Sequence, residues 1–395
     1  MSHAVLDRMA KVFTTALAAL EGEEGVWAVG GAVRDALLER PPRELDLVVE
    51  GDAVAVAQRV AARLHGELVE HERFGTATVR APGGVVLDLA AARRETYPRP
   101  GALPEVALGA SVEEDLARRD FSVNALAVRP ADGAVVGVPL AEADLRAGVL
   151  RVLHDASFRD DPTRLVRLAR YAARLGFAID PHTAELAEAA VMKGALATVT
   201  GERLGAELRL LAREPQPAAL EALERFGLGA ALLPGFAVDA GLVRRALALA
   251  GAAGDARPDR VALAAALRGD APAGALAARL RELAFPAADA AAIVAAAGVD
   301  AGALAGARPS EADAALARLP VEAAVMAAAE GAEPARAWLE RGRRARLAID
   351  GDDLLAAGLS GPAVGRGLAA ARAALLDGAA PTRDDQLAAA LDAAR

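Results

Sequence analysis

Strand-forming sequence is confined to the front part of this 395-residue chain. Up to about Pro139, β-branched runs alternate with helical stretches, and four runs are predicted strands: 26–29, 45–49, 76–79 and 85–89. After Arg151, alanine, leucine, arginine and glutamate recur at helical spacing, and prolines divide the pattern into helices of ordinary length. A chain of this length usually forms two or more domains. We therefore predict an α+β fold in which a mixed head precedes an all-helical remainder.

The composition limits the partners and cofactors. A net charge of −9 argues against indiscriminate coating of nucleic acid but permits a local basic surface. Aromatic residues are 3% of the chain, so an RNA would be held by its shape and phosphates rather than by base stacking. Cysteine is absent, which excludes thiolate ligands and favours metals bound by oxygen. We find no transmembrane helix or secretory signal and expect a cytoplasmic protein.

Two carboxylates share one face of a predicted strand. With a strand's period of two, Glu44 and Asp46 point to one side and Leu45 and Leu47 to the other. Such a pair on a rigid strand can bridge two divalent ions, which stabilise the attacking and the leaving oxygens of a phosphoryl displacement. Taken alone, the pattern also fits an edge strand with a solvated acidic face.

A glycine pair precedes this strand, and a further carboxylate follows it. The first predicted strand ends at Gly30 and Gly31, where a helix begins. Amides at such a helix start favour a triphosphate, and Arg34, one turn further on, can add a charge-assisted bond. A plain turn with a surface pair of Arg34 and Asp35 is the alternative. Farther on, Asp88 interrupts an apolar run, where a charge needs a partner or a metal.

Four motifs in a fixed order resemble one family. They are GGAVRD at 30–35, LDLVVEG at 45–51, RRDFSVNA at 118–125 and DPTRLVR at 161–167. Together they resemble the class II tRNA nucleotidyltransferases, or CCA-adding enzymes, and the bacterial poly(A) polymerases. The resemblance covers about residues 26–235, whereas the tail matches only in its helical character.

The resemblance implies a polymerase-β-like nucleotidyltransferase head followed by helical neck, body and tail that hold tRNA. We expect these boundaries: head 1–139, neck 140–212, body 213–300 and tail 301–395. Glu44 and Asp46 would occupy the two metal-binding positions, and Asp88 that of a third carboxylate that helps to activate the primer hydroxyl. The family usually has Asp where Glu44 stands, and the longer side chain implies a different metal spacing or preference.

The resemblance also assigns residues to the incoming nucleotide. Gly30, Gly31 and Arg34 take the triphosphate-binding positions, and Arg119 aligns with an arginine that contacts the nucleotide. In the neck helix, arginines repeat on one face without matched acids, which suggests a phosphate nearby: Arg164, Arg167, Arg170 and Arg174. Family positions imply that Asp161 and Arg164 read the base and that Arg167 and Arg170 line the same pocket. Taken alone, Asp161 is explained as a helix N-cap.

The activity implied is addition of CMP and AMP from CTP and ATP to the 3′ end of tRNA, without a template and with Mg²⁺ ions on Glu44 and Asp46. A poly(A) polymerase, or an enzyme that adds only CC or only A, shares these motifs. Relatives carry a mobile loop that is important for adding A in the segment that corresponds to 96–105. Residues 138–144 stand where relatives have an Asp-Pro and a glycine pair, so this motif is eroded. Together with Glu44, the erosion leaves open a protein that binds nucleotide or RNA without catalysis.

Overall fold

The computed structural model describes residues 2–42, 44–71, 75–269 and 271–393, and for residues 2 and 3 it describes the backbone alone. Contacts divide the chain into two compact units, Met1–Thr200 and Gly201–Arg395. The boundary between them falls inside the predicted neck, and the finer division into head, neck, body and tail stays a prediction. No helix of the described residues is long and apolar enough to cross a membrane.

The first unit contains the strands. In chain order they are β1 (Val26–Val29), β2 (Asp46–Val49), β3 (Glu67–His71), β4 (Thr76–Ala81), β5 (Val85–Ala91), β6 (Arg93–Thr96), β7 (Glu105–Leu108), β8 (Leu126–Val128), β9 (Val135–Gly137), β10 (Val149–Leu150) and β11 (Ala178–Ile179). Within the described part of the chain, seven strands form one sheet in the order β3-β4-β5-β2-β1-β8-β9, and in it only β2 and β5 pair in parallel. A separate hairpin is formed by β6 and β7, and β10 pairs with β11.

Short helices accompany this sheet. They are α1 (Ser2–Ala18), α2 (Gly31–Leu37), α3 (Ala53–Leu64), α4 (Val112–Ala117), α5 (Ala141–Ala147), α6 (Ser157–Asp160), α7 (Thr163–Leu175) and α8 (Pro181–Met192). Helix α3 packs on β3, β4 and β5 with the face on which its buried alanines and valines recur at helical spacing. On β5, Leu87 and Leu89 are buried whereas Val86 and Asp88 are exposed. The exposed side of the sheet is therefore open to ligands at Asp88.

The second unit is helical. Its helices are α9 (Gly201–Leu211), α10 (Ala218–Arg225), α11 (Leu228–Leu232), α12 (Ala240–Ala253), α13 (Pro258–Ala265), α14 (Ala273–Glu282), α15 (Ala287–Ala297), α16 (Pro309–Leu316), α17 (Val321–Ala329), α18 (Glu333–Glu340), α19 (Gly351–Ala356), α20 (Pro362–Leu376) and α21 (Arg383–Asp392). Residues 322–329 of α17 are all buried, and most of them are alanine. Glu322 among them pairs with Arg260 at 3.2 Å, because a buried carboxylate needs a partner.

The predicted α+β class is confirmed, with a strand-containing front part and a helical remainder. The four predicted strands are confirmed as β1, β2, β4 and β5. The prediction that only helices follow Arg151 is wrong at β11, which pairs in parallel with β10. A two-residue strand gives no periodic signal, because its conformation depends on its pairing partner.

Candidate active site

Strand pairing brings the predicted carboxylates together. Val29 at the end of β1 lies opposite Asp46 on β2, and Asp46 lies opposite Asp88 on β5. The glycine turn that follows β1, then Asp46, then Asp88 therefore stand side by side across three neighbouring strands. Glu44 lies two residues before Asp46, and all three carboxylates belong to exposed residues. The glycine turn therefore lies on the β1 side of Asp46, and Asp88 lies on its β5 side.

Negative charge is concentrated around Asp46. Although the residue is exposed, its surroundings remove part of its hydration, and this desolvation raises the pKa of its carboxyl group. The charge of Arg119 partly offsets the effect, whereas the carboxylates of Glu44 and Asp88 raise the pKa of Asp46 further. A divalent cation would reverse this balance, because it favours the charged form of every carboxylate near it.

The donor set fits a hard cation. Glu44, Asp46 and Asp88 offer only carboxylate oxygens, which are the ligands that Mg²⁺ prefers in proteins. The hydroxyl of Thr78 donates to Asp88 at 2.6 Å and orients it. Among the described residues, no three potential ligand side chains already form a metal-binding group.

The glycine turn lies against the side chain of Arg119. Gly30 has a φ of 68°, in the left-handed region that favours glycine, and it caps helix α2. A Cβ atom at Gly30 would come within 2.8 Å of Nη1 of Arg119, so a larger residue would displace the guanidinium. Buried Asp115 pairs with Arg119 at 3.1 Å, while Arg119 Nε is buried without a hydrogen-bond partner among the described residues. The Arg119 guanidinium is thus held beside the glycine turn, and its charge also lowers the pKa of Asp46.

Arg34 faces the interior instead of the solvent. Its side chain is 1% exposed, and its Nε and Nη2 donate to Asp35 Oδ1 at 2.8 and 2.7 Å. Its Nη1 donates to Asn124 at 2.6 Å, and its guanidinium lies 5.4 Å from the centre of the Tyr171 ring. Arg34 therefore ties the start of α2 to the 118–125 motif, and its predicted contact with a triphosphate stays a prediction. Gly31 is the first residue of α2.

The predicted base-reading pair stands at the start of the neck helix. Helix α7 begins at Thr163 with Pro162 at its N-cap position, one residue later than an N-cap at Asp161 would give. The Asp161 carboxylate accepts hydrogen bonds from the amide and the hydroxyl of Thr163 at 3.1 and 2.7 Å. Helix ends commonly shift by this much. Arg164 is buried and donates to the hydroxyl of Ser157 and to the carbonyl of Arg118, both at 2.8 Å. These contacts link the helix start to the 118–125 motif.

The prediction that the neck arginines lack matched acids is wrong. Arg167 pairs with Asp120 at 2.6 Å, and Arg174 lies 3.6 Å from Asp35. Burial alone would raise the pKa of Asp120, but the charge of Arg167 and hydrogen bonds from Asn124 and Arg167 lower it to about 2. Local spacing could not reveal these pairs, because Asp120 is 47 residues away from its partner.

Tyr171 is a central residue that motif reasoning missed. Its ring is approached by three guanidinium groups, at 5.4 Å for Arg34, 5.5 Å for Arg167 and 4.9 Å for Arg170. Cations near an aromatic ring are attracted to its faces, and this attraction adds to the packing of the ring. A tyrosine flanked by arginines at helical spacing is the sequence signal that could have indicated it.

The segment 96–105 forms the turn of the β6–β7 hairpin and lies against α6. The backbone amide of Gly101 donates to the carbonyls of Arg159 and Asp160 at 3.3 Å. Just before the turn, Glu95 accepts from Arg118 at 2.8 Å and from the hydroxyl of Tyr97 at 3.1 Å. Burial, with the nearby Glu95 carboxylate, raises the pKa of Tyr97 to about 12. The middle of the loop therefore lies against the end of α6, which Asp161 follows directly.

The eroded motif contains a strained residue. Leu140 has a φ of 68° and is 56% exposed, immediately before α5. Glycine is the residue that takes this conformation readily, and the family resemblance leads us to expect a glycine pair in this segment. Asp144 in the same helix is buried and accepts from the Ser122 hydroxyl at 2.7 Å and from Arg151 at 3.0 Å. The segment thus keeps an anchor to the 118–125 motif despite its departure from the family pattern.

Comparisons with known proteins identify relatives of this chain. Residues 26–151 match the family model of the poly A polymerase head domain. The A-adding tRNA nucleotidyltransferase of Halalkalibacterium halodurans is 45% identical over 197 residues, which are 49% of this chain and 46% of that protein. The CC-adding tRNA nucleotidyltransferase of Deinococcus radiodurans is 41% identical over 270 residues, which are 65% of this chain and 71% of that protein. The matched segment thus spans less than half of the A-adding relative.

Solved structures resemble the whole chain. A CCA-adding enzyme in complex with ATP superposes with a TM-score of 0.82 at 25% identity, and the match covers 100% of this chain and 98% of that one. The Thermotoga maritima CCA-adding enzyme complexed with tRNA gives a TM-score of 0.78 at 25% identity, with the same coverage of 100% and 98%.

Carboxylates on adjacent strands beside a glycine turn, within a matched head domain, define a nucleotidyltransferase head. The chain belongs to the tRNA nucleotidyltransferase family, because it matches 71% of the length of a member at 41% identity. The resemblance inferred from the four motifs is confirmed.

Proposed function

We propose that this protein adds CMP and AMP, from CTP and ATP, to the 3′ end of tRNA in the cytoplasm. The reaction is template-independent and releases pyrophosphate. The observation that carries the proposal is the alignment of the glycine turn, Asp46 and Asp88 across three adjacent strands. The names of the relatives, which are A-adding and CC-adding tRNA nucleotidyltransferases, and the likeness to structures with tRNA and ATP support it.

In the proposed reaction, Glu44 and Asp46 hold Mg²⁺. The ions, when bound, neutralise charge on the reacting phosphates and favour the ionised primer oxygen. Asp88 takes the proton of the tRNA 3′-hydroxyl, whose oxygen then forms a bond to the α-phosphorus. The bond from the α-phosphorus to the bridging oxygen breaks, and pyrophosphate leaves with that electron pair. The transfer needs no covalent enzyme intermediate.

The triphosphate lies at the glycine turn in this proposal. Amides at Gly30 and Gly31 face it, and Arg119 contributes the nearby positive charge. The fixed position of Arg119 against Gly30 supports this assignment. Arg34 holds the turn in place from the interior through Asp35 and Asn124.

Base selection is assigned to Asp161 and Arg164. Cytosine and adenine both present an amino group beside a ring-nitrogen acceptor, which match a carboxylate and a guanidinium. Uracil and guanine present the reverse pattern, so both contacts would fail with UTP and GTP. Arg167 and Arg170 line the same pocket. The placement of Asp161 and Arg164 together at the start of α7 supports this reading.

A partial activity is the second candidate, because relatives at 45% and 41% identity are named A-adding and CC-adding enzymes. Purified protein should be incubated with Mg²⁺, labelled CTP or ATP, and tRNAs that end before CCA, after C or after CC. A CCA-adding enzyme incorporates CTP on the first two tRNAs and ATP on the third. CTP alone indicates a CC-adding enzyme, ATP alone on the third tRNA an A-adding one, and a ladder of A residues a poly(A) polymerase. Incorporation on none of them refutes the proposal in favour of a binding protein.

A further inference from the structure

One carboxylate outside the four sequence motifs lies at the centre of the charged contacts around Arg119. Asp115 belongs to helix α4, three and four residues before Arg118 and Arg119, and its side chain is 0% exposed. Its Oδ1 accepts hydrogen bonds from Nε and Nη2 of Arg118 at 3.0 and 2.7 Å. Its Oδ2 accepts one from Nη2 of Arg119 at 3.1 Å. A buried carboxylate needs such partners, and here each of its oxygens holds a different arginine.

The two arginines differ in what else holds them. Arg118 also donates to Glu95 at 2.8 Å, so its charge is shared between two acids. Within the part of the chain that the structure describes, Asp115 is the one acid that pairs with Arg119. The two arginine side chains are similarly accessible, at 19% and 18% exposed. Arg119 therefore keeps positive charge available for a further anion, whereas Arg118 is committed to protein carboxylates.

The bond to Asp115 fixes which edge of the Arg119 guanidinium faces the glycine turn. Nη2 of Arg119 bonds Asp115, and Nη1 is the atom that a Cβ at Gly30 would approach to 2.8 Å. A planar guanidinium that is held through one nitrogen presents its other donors in a fixed direction. Helix α4 is itself anchored, because the amide of Val112 donates to Glu50 at 2.8 Å. The direction of Nη1 is thus set by contacts of the protein.

We propose that Asp115 is a positioning residue for the incoming nucleotide, because it holds Arg119 with Nη1 directed at the triphosphate. This inference rests on the proposed function and gives a role in the triphosphate site to a residue that itself touches no substrate.

The charge of Asp115 has two opposite effects on a bound triphosphate. The carboxylate repels the phosphates and offsets part of the charge of Arg119, so its removal would strengthen binding if charge alone mattered. The same carboxylate orients Arg119 in advance, so its removal weakens binding if orientation matters more. Orientation should dominate, because arginine binds phosphate through directed hydrogen bonds. The sign of the change in affinity therefore separates the two effects.

The test measures nucleotide binding to the whole chain by equilibrium dialysis of labelled CTP and of labelled ATP, with Mg²⁺ and without tRNA. Asp115→Asn keeps the size of the side chain and removes its charge. Glu23→Gln is the matched control, since Glu23 is also buried and pairs with two arginines, Arg59 at 2.6 Å and Arg63 at 2.8 Å. Glu23 precedes the start of β1, whereas Gly30 follows its end. Urea unfolding should show that both substitutions lower stability, because each breaks a buried ion pair.

We expect Asp115→Asn to raise the Kd of CTP and that of ATP about tenfold, which corresponds to about 1.4 kcal/mol. The two nucleotides should change by the same factor, because they share the triphosphate. Glu23→Gln should stay within about twofold of the wild type for both. If Asp115→Asn binds CTP as tightly as the wild type or more tightly, or if Glu23→Gln is weakened equally, the positioning role is wrong.

A double-mutant cycle tests whether Asp115 acts through Arg119. Adding Asp115→Asn to Arg119→Ala should change the Kd of CTP by less than about twofold, since the oriented group is already absent. A further tenfold loss would show that Asp115 acts by another route and would overturn the proposal. Arg119→Lys keeps the charge without the planar set of nitrogens, so it should bind CTP about as weakly as Asp115→Asn. Wild-type affinity in Arg119→Lys would also overturn the proposal, and this comparison does not depend on whether Asp115→Asn folds.

Transfer of CMP or AMP to tRNA is assayed separately on the wild type. A wild type that binds CTP but transfers nothing refutes the proposed function, and the binding comparison still decides the role of Asp115. An active wild type with additive effects in the cycle overturns the positioning role alone. A wild type that binds neither nucleotide overturns both.

Discussion

Asp46 has surroundings unlike those of an ordinary exposed aspartate. Desolvation and the carboxylates of Glu44 and Asp88 raise its pKa, and the charge of Arg119 offsets part of that rise. The ionised form is therefore less favourable in the free protein than in water. Protons and divalent ions should compete for this residue, because each relieves the same excess of negative charge.

This competition predicts proton release when the metal binds. A raised pKa means that Asp46 keeps its proton at a higher pH than a free aspartate does, so the metal must displace more protons at mildly acidic pH than at neutral pH. Titration calorimetry of Mg²⁺ in buffers of different ionisation enthalpy measures the protons released per ion. The released fraction should rise as the pH falls towards the pKa of Asp46. Equal release at both pH values would contradict the assignment, and Asp46→Asn should remove the difference.

Single residues of the site could be predicted from the sequence only where local spacing carries the information. A strand's period of two placed Glu44 and Asp46 together, and an interrupted apolar run indicated Asp88. The partners of the neck arginines were not predictable in this way. Asp120 and Asp35 are distant in sequence from Arg167 and Arg174, and only the folded chain brings them together.

At the scale of elements, the start of helix α5 is under backbone strain. Leu140 adopts a φ of 68°, which costs a residue with a side chain about 1–2 kcal/mol. Its side chain is 56% exposed, so little packing offsets this cost. The segment nevertheless holds its place through Asp144, which is buried against Ser122 and Arg151.

We predict that Leu140→Gly stabilises the protein by about 0.5–1 kcal/mol, because glycine relieves the strain and loses part of that gain through its greater freedom in the unfolded chain. Ala143→Gly is the matched control, since Ala143 is exposed within the same helix, and it should destabilise by up to about 1 kcal/mol. Urea unfolding of the three proteins measures both changes. Destabilisation by Leu140→Gly would show that the Leu140 side chain contributes more than the strain costs.

The strands show which elements the sequence could predict. Strands β1, β2, β4 and β5 are rich in β-branched or alternating apolar residues, and their periodicity was sufficient to predict them. Strand β3 reads ELVEH and β6 reads RRET, so charges interrupt any apolar period. These strands form because a neighbouring strand supplies hydrogen bonds, and this information is not local.

For the whole molecule, the sequence predicted a mixed front part and a helical remainder because the two parts differ in composition and period. Along the chain, the first compact unit ends at Thr200. The predicted boundaries followed the domain plan that the family resemblance implies. Helices α7 and α8 belong to the first unit. Tertiary pairs such as Arg167 with Asp120 connect α7 to the strand-containing segment. No change in amino-acid composition marks the division after Thr200, so composition could not predict it.

The proposed activity depends most directly on Asp46, the carboxylate on β2. The decisive measurement is the single-turnover rate of CTP incorporation on a tRNA that ends before CCA, for the wild type, Asp46→Ala and the control Glu67→Ala, an exposed carboxylate on β3 of the same sheet. Circular dichroism should show all three folded, because neither side chain is buried. We predict that Asp46→Ala loses at least about a hundredfold in rate, as expected when a group that stabilises transition-state charge is removed, while Glu67→Ala keeps the wild-type rate. An Asp46→Ala protein that retains the wild-type rate at saturating Mg²⁺ would contradict the account.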